Sequence, residues 1–340
     1  MHPDEYTAPF WLPGGHVQTL YPILFLRGPH PAYRRERWEL DDGDFLDADW
    51  ADGPAAAPLV VLFHGLEGSS ASPYARKLML AARLEGWRGV VVNFRGCSGE
   101  PNRLPRAYFA GDSAEIGGAL ARLRERFPHA RLHAVGVSLG GNALLKWLGE
   151  AGDAAGRLVA SAAAISAPLD MQAAWNALDQ GFNRLVYTAH FLATLKKKSL
   201  AKAARFPGLL DAAAIRAAGT FREFDSVVTA RLHGFRDAED YWTRASSKPL
   251  LPDIRVPTLV LNAQNDPFLP APALPRAHEV SASVVLQQPA SGGHVGFPGG
   301  GFPGFPGGMR MPGGARGGGM GIVGLIVFVL IALFFGVDPR

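Results

Sequence analysis

Nearly uninterrupted apolar runs recur along the chain, at 59–63 (Leu-Val-Val-Leu-Phe), 89–94, 132–137, 158–165, 257–262 and 283–286. A strand with one wet face would alternate polar and apolar positions. Continuous runs predict strands covered on both faces. Between them the apolar period lengthens to that of a helix, at 74–85, where Gly86 provides the stop, at 111–126, and from 143 onward. Repeated strand–helix units predict an α/β fold with a mostly parallel central sheet, right-handed crossovers and helices on both faces. Upstream, alternating segments at 37–40 and 45–50 flank Asp41-Asp42-Gly43-Asp44, which predicts a hairpin. Residues 1–35 read as irregular, with a short helix starting at His16.

The rhythm breaks over 171–251. Helical segments at 185–198, 211–216 and 221–241 follow one another with no buried strand among them. We read them as a helical cap inserted after the sixth strand of a domain spanning 1–300. Phe182, Leu185, Tyr187, Phe191 and Leu192 are expected partly to pack within the cap and partly to line an apolar mouth. Past His294 the composition shifts. Gly, Pro, Phe and Met dominate 301–319, which cannot build a core and reads as a linker. The apolar stretch 320–337 is about 18 residues, roughly 27 Å as a helix, the minimum for a transmembrane segment. Arg310 and Arg316 on its domain side fit a cytoplasmic catalytic domain anchored to the cytoplasmic membrane.

Charge changes this picture little. A net charge of +4 is too small to argue for nucleic acid, and no nucleic-acid motif accompanies it. The one cysteine, Cys97, forbids an intrachain disulfide. The start, Met1-His2-Pro3-Asp4-Glu5, lacks the basic and apolar regions of a signal peptide, so none is expected.

The candidate chemistry centres on Gly136-Val137-Ser138-Leu139-Gly140, between an apolar strand and a helix. A serine at the tip of so sharp a turn holds its hydroxyl outward, and the flanking positions want no side chain. A serine nucleophile needs a histidine to take its proton and a carboxylate to orient that histidine. Asp266 and His294 follow the last two strands and would lie on the same sheet edge as Ser138. Asp170, after the preceding strand, is the alternative acid. The oxyanion calls for two backbone donors. Leu139, just after the nucleophile, and Leu66, in His64-Gly65-Leu66-Glu67-Gly68, are assigned to it, with Gly65 and Gly68 allowing close approach. Cys97 reads as a small packing residue. His129 and His133 straddle a turn and a strand rather than one helix face, so no metal is expected, and no cofactor. Lys196, Lys197, Lys198 and Lys202 read as a solvated helix face, with contact to lipid headgroups as the alternative.

These residues together resemble the YheT-type branch of the α/β-hydrolases, relatives of the ABHD lipases and esterases, over about 16–300. The resemblance rests on the stretch 64–69 and on Asn93-Phe94-Arg95-Gly96-Cys97-Ser98-Gly99-Glu100-Pro101-Asn102-Arg103. It rests also on the serine turn, Phe221-Arg222-Glu223-Phe224-Asp225, Asp266-Pro267-Phe268 and Gly292-Gly293-His294-Val295-Gly296-Phe297. It implies the α/β-hydrolase fold and an esterase or lipase-like serine hydrolase whose triad falls on Ser138, Asp266 and His294. The expected partner is an apolar small-molecule or lipid ester. The chain departs from the branch after Gly300, where the family continues into a tryptophan-containing helix. The alternative reading is a catalytically silent, membrane-tethered binding protein that keeps the fold.

Overall fold

The computed structural model describes residue 6 and residues 8–25 and 29–297. The linker expected over 301–319 and the transmembrane segment expected over 320–337 lie outside the described residues. No described helix is long and apolar enough to cross a membrane.

Eight strands form one sheet: β1 (Arg34–Glu39), β2 (Phe45–Ala51), β3 (Leu59–Phe63), β4 (Arg88–Asn93), β5 (Leu132–Val137), β6 (Ser161–Ile165), β7 (Thr258–Leu261) and β8 (Val284–Gln287), in the order β1-β2-β4-β3-β5-β6-β7-β8. The pairings from β4 through β8 are parallel, and the β1–β2 and β2–β4 pairings are antiparallel. The β1–β2 hairpin closes where Gly43 takes φ +83° and donates its N–H to Leu40.

The continuous apolar runs have a direct reason. Side chains alternate across a strand, and both faces of the sheet are packed. Leu59, Val61 and Phe63 of β3 join one core with Ile116, Leu120 and Leu123 of α3 (Ser113–Arg126) and Leu144 and Leu148 of α4 (Leu139–Ala151). Val60 and Leu62 join the other core with Leu78 and Met79 of α2 (Pro73–Leu84). β2 is the exception to apolar filling. It buries Asp47 and Asp49, each gripped by both arms of a guanidinium, Arg37 and Arg35 respectively.

Residues 171–253, between β6 and β7, carry helices and no strand. α5 (Met171–Leu178) leads into a helical run over 181–205, in which a π-helical turn, Arg184–Thr188, precedes Ala189–Arg205. Two boundaries differ from expectation. The strand expected from 158 starts at Ser161, because the N–H groups of Leu158 and Val159 close a turn on the Ala155 carbonyl. The helix expected over 221–241 is broken at Gly234, whose φ of +72° ends Ala230–His233 before Ala238–Ala245 begins. Within that region Asp225 sits in a second π-helical turn and accepts the indole N–H groups of Trp175 and Trp242 and the Thr229 hydroxyl. Burial pushes its carboxyl up to about 6. A π-turn moves a side chain off the regular helical face. Here it aims a carboxylate at the two indoles that knit these helices together.

Candidate active site

β5 passes into α4 through Ser138, whose backbone takes φ +51° and ψ −120°. A β-carbon makes positive φ costly, so such a residue persists only where its surroundings over-determine it. The two glycines of the turn supply that constraint. A β-carbon on Gly136 would lie 2.5 Å from the Gly140 carbonyl oxygen, and one on Gly140 would lie 2.4 Å from that of Phe63. The Ser138 N–H is held by the Ile165 carbonyl at 2.8 Å.

The structure brings Asp266 and His294 to this turn. The Ser138 Oγ is 2.9 Å from His294 Nε2, and His294 Nδ1 is 2.9 Å from one Asp266 carboxylate oxygen and 3.2 Å from the other. The acceptor-only carboxylate assigns the ring proton to Nδ1 and leaves the Nε2 lone pair for the serine hydroxyl. Asp266 also accepts the Phe268 N–H at 2.8 Å, and the Phe268 ring stacks on His294 with centroids 3.9 Å apart. Asp170 takes no part in this chain of bonds. It caps α5, accepting the Ala173 N–H at 3.0 Å, the usual work of an aspartate at a helix start.

The histidine loop is held by the short helix expected from His16. α1 (Gly15–Phe25) presents Gln18 and Thr19 to it. The Gln18 side-chain oxygen accepts the N–H of Gly292 and the amide of Asn265. Thr19 accepts the N–H of His294, Asn265 that of Gly293, and Ser166 that of Val295. Gly293 has no alternative residue here: its φ is +61°, and a β-carbon would meet the Gly15 carbonyl oxygen at 2.6 Å. A polar Gln-Thr pair inside an uncharged stretch was the only signal available.

The loop after β3 faces the serine. A β-carbon on Gly65 would lie 3.1 Å from that of Ser138. Neither the Leu66 nor the Leu139 N–H has a hydrogen-bond partner among the described residues, while the residues on either side of Leu66 are tied. The Gly65 N–H goes to the Tyr74 hydroxyl and the Glu67 N–H to the Tyr108 hydroxyl, both at 2.8 Å. His64, fully buried, accepts the Phe94 N–H on Nε2, so its Nδ1–H donates to the Gly65 carbonyl at 2.8 Å. Burial pushes its pKa down to about 4, which keeps the ring neutral in this role. A serine hydroxyl on an oriented imidazole, beside two unengaged N–H groups, can carry out acyl transfer.

Of the lysines expected on a solvated face, Lys197 is exposed, whereas Lys198 and Lys202 reach inward. Lys198 donates to the Glu67 carboxylate at 2.8 Å, and Lys202 donates to the carbonyls of Leu104 and Arg106. Both are drawn inward because Ala189–Arg205 lies against these loops. Burial brings Lys202 down to about 8. Cys97 is buried beneath Lys198, its Sγ 3.7 Å from Nζ, and burial pushes its thiol up to about 12. His133 is inside the sheet, stacked on Trp87 and bonded to Ser161, whereas His129 is exposed. Among the described residues no three His, Cys, Asp or Glu side chains gather as a metal set.

A family model described as alpha/beta hydrolase fold matches residues 58–300. YheT of Escherichia coli (strain K12), whose name places it among the esterases, is 43% identical over 84% of this chain and 84% of its own. Phospholipase ABHD3 of Homo sapiens is 30% identical over 86% of this chain and 74% of its own. Among solved structures, a bacterial membrane phospholipase A superposes with a TM-score of 0.51 at 19% identity, over 82% of this chain and 84% of that one, a likeness of fold.

Proposed function

The chain belongs to the α/β-hydrolase fold family, in the branch of YheT and the ABHD proteins, and from that premise we propose that it hydrolyses carboxylic esters through an acyl-enzyme on Ser138. The observation that carries the reading is the unbroken chain of hydrogen bonds Ser138–His294–Asp266. The Ser138 Oγ attacks the ester carbon as His294 Nε2 takes its proton. The negative oxygen is received by the N–H groups of Leu66 and Leu139. Collapse breaks the ester bond, and His294 returns the proton to the leaving alcohol. Water then attacks the acyl-enzyme with His294 again as base, which releases the acid and restores the serine. Asp266 holds the Nδ1–H tautomer and offsets the imidazolium charge.

The surroundings favour an apolar substrate. Phe268 covers His294 and meets Tyr187 and Phe191 of the helical excursion, with centroids 4.8 and 6.2 Å away. Phe182 and Leu185 are exposed on the same excursion, and Phe182 meets His16 of α1. The names of the relatives, esterase and phospholipase, fit an ester substrate. A series of p-nitrophenyl esters tests the reading. We expect a burst of p-nitrophenol equal to the enzyme concentration, and faster turnover of medium acyl chains than of short charged ones. Absence of turnover on every member would overturn it. Membrane attachment through 320–337 is a separate part of the proposal, tested by whether a carbonate wash releases the chain.

A further inference from the structure

Glu67 and Lys198 have no place in the chemistry above, yet both bear on the Leu66 donor. Glu67 follows Leu66 directly and takes φ +54°, a left-handed backbone on a residue with a full side chain. Such a conformation must be held from outside. Two groups hold it. Tyr108 accepts the Glu67 N–H and donates its hydroxyl to the Glu67 carboxylate, both at 2.8 Å. Lys198 donates to the same carboxylate oxygen at 2.8 Å. Tyr108 comes from the loop before α3, whereas Lys198 comes from the helix Ala189–Arg205, 131 residues away in sequence. The Glu67 side chain is nearly buried, at 9% exposure, and that of Lys198 half-exposed, at 43%. The ion pair is therefore closed toward the loop and open toward solvent.

On the other side of Leu66, Gly65 is fixed by Tyr74 and His64 without help from the excursion. Lys198 is thus a hydrogen-bonded tie from the excursion to the oxyanion loop.

We infer that Lys198 is a positioning residue: through its ion pair with Glu67 it sets the orientation of the Leu66 N–H, so that the oxyanion donor is in place only when the helix Ala189–Arg205 is docked. This rests on the esterase reading for its kinetic consequence and on geometry alone for its structural one. Removing an oxyanion donor outright costs about 10²–10³ in kcat. A donor left in place but loosely aimed should cost less, roughly tenfold.

The test compares Lys198→Met, Lys198→Arg and Glu67→Gln with the wild-type full chain on one p-nitrophenyl ester. Lys198→Met and Glu67→Gln should each lower kcat roughly tenfold with KM within about twofold, and weaken a boronic acid inhibitor by the same factor as kcat/KM. Lys198→Arg, which keeps the charge and the donor, should recover most of the rate. Amide hydrogen exchange across 64–68 should quicken in Lys198→Met while exchange in the sheet strands stays as in wild type. Unchanged kcat in Lys198→Met overturns the inference. So does a raised KM with kcat preserved, which would make Lys198 a substrate contact. If the wild-type chain turns over no ester, the esterase reading fails instead. The exchange comparison then still decides whether Lys198 holds the loop, and unaltered exchange overturns that.

Discussion

The turn at 136–142 and the loop at 64–68 meet face to face, and each carries one non-glycine residue in the left-handed region, Ser138 at φ +51° and Glu67 at φ +54°. They reach that state by opposite routes. The serine turn is held by close backbone packing: Gly136 against Gly140 and Gly141 within the turn, and Gly140 against the carbonyls of Phe63 and His64 at the end of the neighbouring strand. The loop is held by polar side chains, Tyr74 from the following helix, Tyr108 and Lys198 from farther along the chain, with His64 beneath it. A steric constraint against backbone is rigid. A constraint made of hydrogen bonds depends on where the donor elements sit, and can be adjusted by moving them.

Substitutions can break this contrast, and the largest effect is expected at the group both regions serve. Ser138→Ala should remove on the order of 10⁶ in kcat for a p-nitrophenyl ester, as loss of the nucleophile does in the subtilisin template. Asp266→Asn should cost about 10⁴, because the amide favours the wrong imidazole tautomer. Initial-rate measurements separate the two, and a loss below tenfold in either would remove that residue from its role.

The next two sharpen the comparison itself. Gly140→Ala drives a methyl into backbone at 2.4–2.5 Å, where nothing flexible can yield. It should lower unfolding free energy by about 1–3 kcal/mol and activity with it, seen as a fall in the urea midpoint at constant m. Tyr108→Phe deletes the hydroxyl that ties both ends of Glu67. It should lower kcat roughly tenfold and shift the urea midpoint less than Gly140→Ala does. Equal patterns in the two variants would mean that the loop and the turn are held in the same way.

That contrast also explains what could be read from the chain. The strands were legible because burial on both faces writes continuous apolar runs such as Leu59–Phe63. The serine turn was legible because its constraint is the spacing of glycines. Asp266 and His294 could be placed because both follow predicted strands, and the structure sets them beside Ser138. The braces were not legible. Gln18 and Thr19 act on residues more than 240 positions away, and Lys198 acts on one 131 positions away. Nothing local in a lysine-rich helix distinguishes a cation that faces water from one that reaches a loop. Asp170 shows the converse: a carboxylate at a strand end, which serves instead as a helix cap. Asp170→Ala is expected to have the smallest effect, about 1 kcal/mol of stability with turnover retained. Loss of turnover there would return it to consideration as the acid.

The account stands on Ser138 as the nucleophile, and covalent capture tests that most directly. The wild-type full chain is treated with a fluorophosphonate, digested, and the adduct located by peptide mass spectrometry. One stoichiometric adduct is expected on the peptide containing Ser138, absent from Ser138→Ala. An unlabelled wild-type chain, or an adduct that persists in the variant on another residue, would contradict it.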